Sequence, residues 1–327
     1  MEVERSKLLV EPVRDVEIDP DKPLASLIDM LDSIHGFMAG HVVRAVRLLS
    51  RCLRKSDLRV ISFTANLVAT GLRGVFAQLI RENLFNLVVT TCGAIDHDIA
   101  RGSGGAYYKG FFETDDRMLH DLEVHRLGNV FIPMEDYGPR VERTVYSILD
   151  RLDRSREWAI YEILWEIGKE LRSDNGSILA AAAETGTPLI VPGFLDGAFG
   201  TALFTYLQTH RDLRVNAFRD EEVMSNKFFT AKHATALIIG GGISKHHAIW
   251  WAQFREGFDC AVYVTTAVEY DGSLSGAHPR EAITWNKLRP EGESVVVYGD
   301  ATVVLPIIVA GVLAEYRKKN AKNKNDG

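Results

Sequence analysis

The stretch RVISFTANLVATGLRGVFAQLIRENLFNLVVTT, residues 59–91, decides the fold. It opens on Arg59-Val60-Ile61-Ser62-Phe63, a short β-branched run that reads as a buried strand. A helical pattern follows over residues 71–82. Asn86-Leu87-Val88-Val89-Thr90-Thr91 is the next strand. Strands that are apolar on both faces and separated by helices make a parallel sheet covered on both sides. The pattern recurs outward, with strands predicted at residues 130–132, 188–191, 236–239, 261–265 and 294–298. The expectation is an α/β fold, a doubly wound, mostly parallel, Rossmann-like sheet. Residues 24–53 carry helical periodicity and no strand signal, which predicts an N-terminal helical arm over residues 1–55. A catalytic α/β domain over 56–317 and a disordered tail over 318–327 complete the expected organisation, with a charged helical insertion over 138–172.

The chain has 327 residues, a net charge of −6, 46% apolar and 25% charged residues. That charge leaves no nucleic-acid footprint and is compatible with a cationic substrate. Cys52, Cys92 and Cys260 are far apart and odd in number, which argues against zinc and against a disulfide framework. A reducing cytoplasm is the expected compartment. The charged start, MEVERSKLLVEPVRDVEI, has no apolar core of a signal peptide. The most apolar stretch, residues 301–314, is too short to span a bilayer and contains Pro306, so it reads as a buried helix and no membrane partner is expected.

In open parallel sheets, ligands sit beyond the carboxyl ends of the strands. Five predicted strand ends here are polar or glycine-rich: Thr90 to Gly93, Pro192-Gly193 with Asp196-Gly197, Gly240 to Gly242, Thr265 to Ala267, and Gly299 to Ala301. They point to one ligand crevice. The triple glycine does not complete G-x-G-x-x-G, and alone it says only that a strand turns tightly into a helix. Lys245, His246 and His247 stand where that helix begins. A histidine there is disfavoured as a cation, hence base-competent, or it is a cap or a satisfied core residue. Asp96, His97 and Asp98 form either an N-cap cluster for the following turn or a carboxylate site for a ribose hydroxyl or an amine.

The segment EYDGSLSGAHPREAITWNKLRP, residues 269–290, is the strongest candidate active-site segment. Asp271 to Gly276 offer backbone donors. His278-Pro279-Arg280-Glu281 opens a helix, and Glu281 and Trp285, four apart, share a face. A carboxylate beside an indole is a cradle for an alkyl-ammonium ion. Lys287 follows, with Pro290 expected to end the helix. A lysine desolvated beside tryptophan becomes nucleophilic, whereas an isolated lysine is ordinarily an exposed surface residue.

At these residues the chain resembles the deoxyhypusine synthase family. The blocks that carry the resemblance are TANLVATGLR, VVTTCGAIDHDI, RLGNVFIP, DGAFGT, IIGGGISKHH, VYVTTAVEYDGSLSGAHPREAITWNK and VYGDATVVLP, in order across about residues 57–315. The resemblance implies a metal-free chemistry in which spermidine is oxidised with NAD and cleaved. Its aminobutyl group passes through an imine on an enzyme lysine to a lysine of the translation initiation factor 5A precursor. It also implies a homotetramer with sites across a dimer interface. Matched by motif, Lys287 is the imine-forming lysine and His246 the histidine that helps deprotonate the polyamine. Substrate contacts fall to Asp96, His97, Thr201, Gly241, Gly272, Ser273, Glu281 and Trp285. The dinucleotide falls to Asn66, Thr91, Cys92, Gly93, Asp196, Thr266, Ala267, Asp271, Ser275, Asp300 and Ala301.

The chain departs from the family's eukaryotic pattern at His97, Thr201 and Leu274, where that pattern has acidic residues. The last two would hold amino groups of spermidine, and each charge-assisted contact is worth roughly 1.5–3 kcal/mol. The expectations therefore include homospermidine formation with a free diamine acceptor, another amine donor, and a non-catalytic binding protein that kept the fold. The motif variants look archaeal.

Overall fold

The computed structural model describes Pro23 and residues 26–325. The opening part of the expected arm, residues 1–22, lies outside the described residues. Six strands form the central sheet: β1 Leu58–Ser62, β2 Leu87–Val89, β3 Leu189–Ile190, β4 Ala234–Ile239, β5 Phe258–Thr265 and β6 Leu288–Tyr298. Their spatial order is β3-β2-β1-β4-β5-β6, and every neighbouring pair is parallel. This is the doubly wound order, with its topological switch between β1 and β4.

The period of two along each strand divides the core into two layers. Ile61, Val88, Leu237, Ile239, Val262, Val264, Val295 and Val297 face one layer. Val60, Leu87, Val89, Ala236, Ile238, Ala261, Tyr263 and Val296 face the other. Both layers are covered by helices, which is why the strands read as continuous apolar runs rather than alternating ones.

Helix α1, Met38–Lys55, belongs to the first layer. Ala45, Val46, Leu49, Cys52 and Leu53 are buried along its inner face. Its Cys52 is joined to Cys260 of β5 by a disulfide, 208 residues apart in sequence. This corrects the reading that the cysteine count argues against a disulfide framework. Neither number nor spacing in the sequence reports that this helix packs across this strand, with the two Cα atoms 6.4 Å apart. Cys92 remains a buried free thiol.

The strand expected at 130–132 exists as Val130–Pro133, but outside the parallel sheet. It lies between Tyr108–Lys109 and Val124–Leu127 in a small antiparallel sheet. Only Gly128 and Asn129 separate it from its partner, with Leu127 opposite Val130. A two-residue connection permits only an antiparallel hairpin. The insertion over 138–172 resolves into helices Gly138–Leu149 and Ile160–Glu170 with the short strand Glu157–Trp158 between them.

Two other boundaries differ from expectation. The helix before Lys287, Pro279–Thr284, stops well short of Pro290. Strand β6 starts at Leu288 and contains Pro290. Pro290 is tolerated because β6 is an edge strand, and the pairing with β5 shifts between Phe258–Leu288 and Cys260–Glu293. The last helix, Ala301–Asn325, continues through most of the stretch expected to be disordered. No helix among the described residues is long and apolar enough to cross a membrane.

The disulfide closes a very long loop, so its removal should matter. Cys52→Ser is expected to lower unfolding free energy by about 2–4 kcal/mol in denaturant titrations. The parent protein in reductant should shift to the same midpoint as the variant. A midpoint unchanged in both would contradict the bond.

Candidate active site

Two cavities carry the predicted residues. The first, about 440 Å³, opens at the carboxyl ends of β1, β4, β5 and β6. It is lined by Thr64 and Asn66 after β1, Gly240 to Gly242 after β4, Thr265 to Ala267 after β5, and Gly299 to Ala301 after β6, with Ser273 and Ser275 from a loop. Two long helices begin at its wall: α2, Gly242–Ala252, and α3, Ala301–Asn325. Unpaired N–H groups and the positive end of the helix dipole make such a wall favourable to an anion.

Of the residues matched to the dinucleotide, Asn66, Thr266, Ala267, Ser275, Asp300 and Ala301 meet here, as do Gly241 and Ser273. The volume lies within the range of about 300–1,000 Å³ typical of ligand clefts. The residue set and the helix ends would fit a dinucleotide, the helix N-termini favouring its anionic groups. Asp271 is exposed and accepts a hydrogen bond from Ser273 N at 2.7 Å, shaping the loop with Gly272.

The triple glycine has separate reasons at its members. A Cβ on Gly241 would collide with the Ser275 backbone and side chain, so the loop can seat against the turn only over glycine. Gly240 and Gly242 have φ of 79° and 66°, the left-handed region that side chains disfavour.

The second cavity, about 300 Å³, is lined by Lys287, Glu281, Trp285, His246, Lys245 and Tyr263, together with Ile249, Trp250, Leu274 and His278. It therefore gathers both residues expected to be catalytic and the two expected to cradle an amine. Asn286, with φ of 54°, turns the chain from the helix Pro279–Thr284 into β6. The Lys287 backbone is pinned on both sides of that turn. Its N–H donates to Ala282 O at 2.8 Å, and its carbonyl accepts from Phe258 N at 3.1 Å.

The Lys287 ammonium lies 5.4 Å from the Trp285 ring centre. Burial pushes its pKa below the ordinary lysine value, and Glu281 opposes the shift. His246 is held below its usual value by burial, then by Lys287 and His247. Its ring stacks on Trp250 at 5.8 Å. Trp285 and Trp250 are 62% and 44% exposed, so the aromatic rim is open in the single chain.

A third group of predicted residues lies apart from both cavities. The Asp96 carboxylate is fully buried and accepts from Ala198 N and Phe199 N at 2.9 and 2.8 Å, capping the helix Ala198–Thr209. Tyr137 donates to it at 3.3 Å. Burial raises its pKa to about 6 against the lowering effect of these bonds. Gly197 has no room for a side chain against Asp96 and Cys92, which accounts for the glycine of D-G-A-F-G-T. Cys92 lies against Asp96 and Phe194, and burial pushes its thiol up to about 12. His97 is buried against Tyr107, with Nδ1 2.8 Å from the phenol oxygen, and burial lowers its pKa to about 4. Asp98 caps another helix, Ile178–Thr185, and pairs with Arg73 at 2.5 Å. Both aspartates lie inside the helix Cys92–Gly102 and cap distant helix starts, not the turn that follows them as the cap reading expected. Thr91 stands at the N-cap position of the helix Cys92–Gly102 without a side-chain cap hydrogen bond, Gly93 packs on Ala65, and Thr201 is exposed on the helix that Asp96 caps. Asp196 stands in the turn before that helix, close enough to Cys92 to raise its pKa. None of these lines the two cavities.

A model of the deoxyhypusine synthase family matches residues 26–312. The chain belongs to the deoxyhypusine synthase family. A relative from Ignicoccus hospitalis, named "Probable deoxyhypusine synthase", is 57% identical over 96% of this chain and 99% of its own length. One of the same name from Sulfurisphaera tokodaii is 54% identical over 95% of this chain and all of its own. A crystal structure from Entamoeba histolytica, carrying a provisional deoxyhypusine synthase name, shares the fold with a TM-score of 0.59. It is 20% identical, covering 88% of this chain and 92% of that one. The deoxyhypusine synthase homologues indicate an enzyme.

One cavity residue the sequence did not assign is Lys245. It is in register with Ile249 and Ala252 on the buried face of α2, and a lysine on that face is the signal that was available. Tyr263, Trp250 and His278 also line the cavity without having been singled out.

Gly241→Ala should destabilise the protein by about 1–3 kcal/mol in denaturant unfolding, the cost of overpacking. Gly272→Ala meets no atom within 4 Å and bears only the strain of φ 73°, on the order of 1–2 kcal/mol. Equal stability of the Gly241→Ala variant and the parent would contradict the close contact with Ser275.

Proposed function

We propose that the chain is a deoxyhypusine synthase: an NAD-dependent transferase that moves the aminobutyl group of spermidine to a lysine of the translation initiation factor 5A precursor. The observation that carries this reading is the convergence of Lys287, Glu281, Trp285 and His246 on one cavity, with the Lys287 amine depressed by burial. Membership of the family supports the reaction class. The first cavity is the proposed cofactor site, with Asn66, Thr266, Ala267, Ser275, Asp300 and Ala301 holding NAD. NAD, when bound, supplies the hydride chemistry, taking a hydride from the amine donor and returning it to the final product.

Each residue then has a defined task. Glu281 and Trp285 hold an ammonium group between charge and π-face. His246, kept neutral, accepts a proton from the donor amine. Neutral Lys287 adds through Nζ to the oxidised carbon of the donor, diaminopropane leaves, and the aminobutyl group stays on Lys287 as an imine. The acceptor lysine displaces Lys287 by the same addition. The open aromatic rim of Trp250 and Trp285 suits a homo-oligomer, a tetramer by family resemblance, in which a second copy completes the site.

A second reading follows from Leu274, an apolar wall residue where the eukaryotic pattern has a carboxylate. It keeps the chemistry and changes the amine, giving homospermidine with a free diamine acceptor or using another donor. Incubation with NAD, spermidine and either the factor precursor or putrescine, with products identified by mass, decides between them. Modified factor supports the first reading. Homospermidine without modified factor rejects it.

Lys287→Ala and Lys287→Arg are expected to abolish transfer to protein while leaving some NAD-dependent amine cleavage. Full transfer by Lys287→Ala would remove the lysine from the mechanism.

The pH dependence has a definite sign. The nucleophile must be neutral, so transfer rises with pH through the Lys287 pKa, which lies below the free-lysine value. Glu281 holds that pKa up, so Glu281→Gln should move the rise to lower pH while weakening amine binding. A kcat–pH profile displaced toward higher pH would contradict the assignment.

A further inference from the structure

Among the described residues, Lys245 is the one charged residue in the group of largest fully buried side chains, at 1% exposure. Its Nζ donates to Leu274 O at 2.7 Å and to Ala277 O at 2.9 Å, and lies 4.3 Å from the centre of the Tyr263 ring. Both acceptors belong to the loop that follows β5. That loop alternates between the cavities, with Ser273 and Ser275 lining the first and Leu274 and Ala277 the second. Lys245 itself stands on α2, one turn beyond the Gly240–Gly242 turn that the same loop packs against.

We infer that Lys245 is a positioning residue that ties the 268–278 loop to α2 and so sets the shape of both cavities at once. A hydrocarbon side chain of the same length would fill the space and leave two carbonyls without donors in a dry wall. The ring face of Tyr263 and the two carbonyl dipoles supply the charge compensation that a buried ammonium needs. Burial nevertheless lowers its pKa to about 8, with Glu281 opposing. Deprotonation leaves two N–H donors on Nζ, enough for both carbonyls, so the tether persists on either side of that value. Lys287, by contrast, makes no hydrogen bond through Nζ among the described residues. One lysine of the cavity is built into the wall and the other is free to react.

The NAD-affinity arm of this inference rests on the proposed function, and the exchange and labelling arms do not. Hydrogen exchange of Lys245→Met should show the amides of residues 269–278 exchanging about tenfold faster or more, with β1 and β4 unchanged. NAD affinity, followed by binding calorimetry, should weaken by about tenfold, and Lys245→Arg should recover part of both effects. Unchanged loop exchange and NAD affinity in Lys245→Met would overturn the inference. If that variant fails to fold, the parent protein decides by brief acetylation with acetic anhydride. A tethered Lys245 reacts far more slowly than Lys287, and equal labelling would overturn the tether. Faster loop exchange in Lys245→Met, with a parent protein that binds no NAD and transfers no aminobutyl group, rejects the proposed function and leaves the tether standing.

Discussion

All six strands of the sheet run parallel, so every connecting loop after a strand leaves from the same edge. That constraint delivers Thr64, Gly240, Thr266 and Gly299 to one place from positions spread over more than two hundred residues. Parallel pairing also forces a covering helix between strands, and the helices that begin at this edge turn their N-termini toward it. The first cavity follows from the topology before any particular side chain is considered. What the side chains add is room, through Gly241, and polar rims through Asn66, Ser275 and Asp300.

The same arrangement sets a burden on the neighbouring helices. Helices Ala198–Thr209 and Ile178–Thr185 begin in the interior, where unpaired N–H groups are costly. Asp96 and Asp98, two residues apart on one helix, each satisfy a different helix start. A motif that looks like ligand chemistry in the sequence, D-H-D, is here a device that knits three helices together. Asp96 and His97 are shifted in pKa by the same burial that hides them.

How much was legible follows from the range of each signal. The parallel sheet was readable because each βα unit is local and the strands are apolar on both faces. The hairpin around Gly128-Asn129 was also local, but its connection length was not weighed, so its strand was counted with the sheet. The disulfide was invisible because Cys52 and Cys260 meet only after helix and sheet have packed. The sequence offered Asp96 and Asp98 only a local cap, because a carboxylate's partner about a hundred residues away leaves no mark. Residues of the segment 262–287 were the most legible part of the candidate site, since its lysine, tryptophan and glutamate are close in sequence and meet in one cavity.

The length of that uninterrupted motif has a physical cause. The chain leaves β5 at the first cavity, passes between the cavities as the loop held by Lys245, and runs down the helix Pro279–Thr284 to Lys287. Successive residues on this path face different cavities, so neither wall can change without moving the other. Lys287 is the end of the path, fixed by Ala282 on one side and by Phe258 of the sheet on the other. A shift of the loop would therefore be felt at the wall of the first cavity and at the lysine together. Coupling of two cavities through one tethered segment explains why the residues between Thr265 and Lys287 read as a single unit, although only some of them face the second cavity.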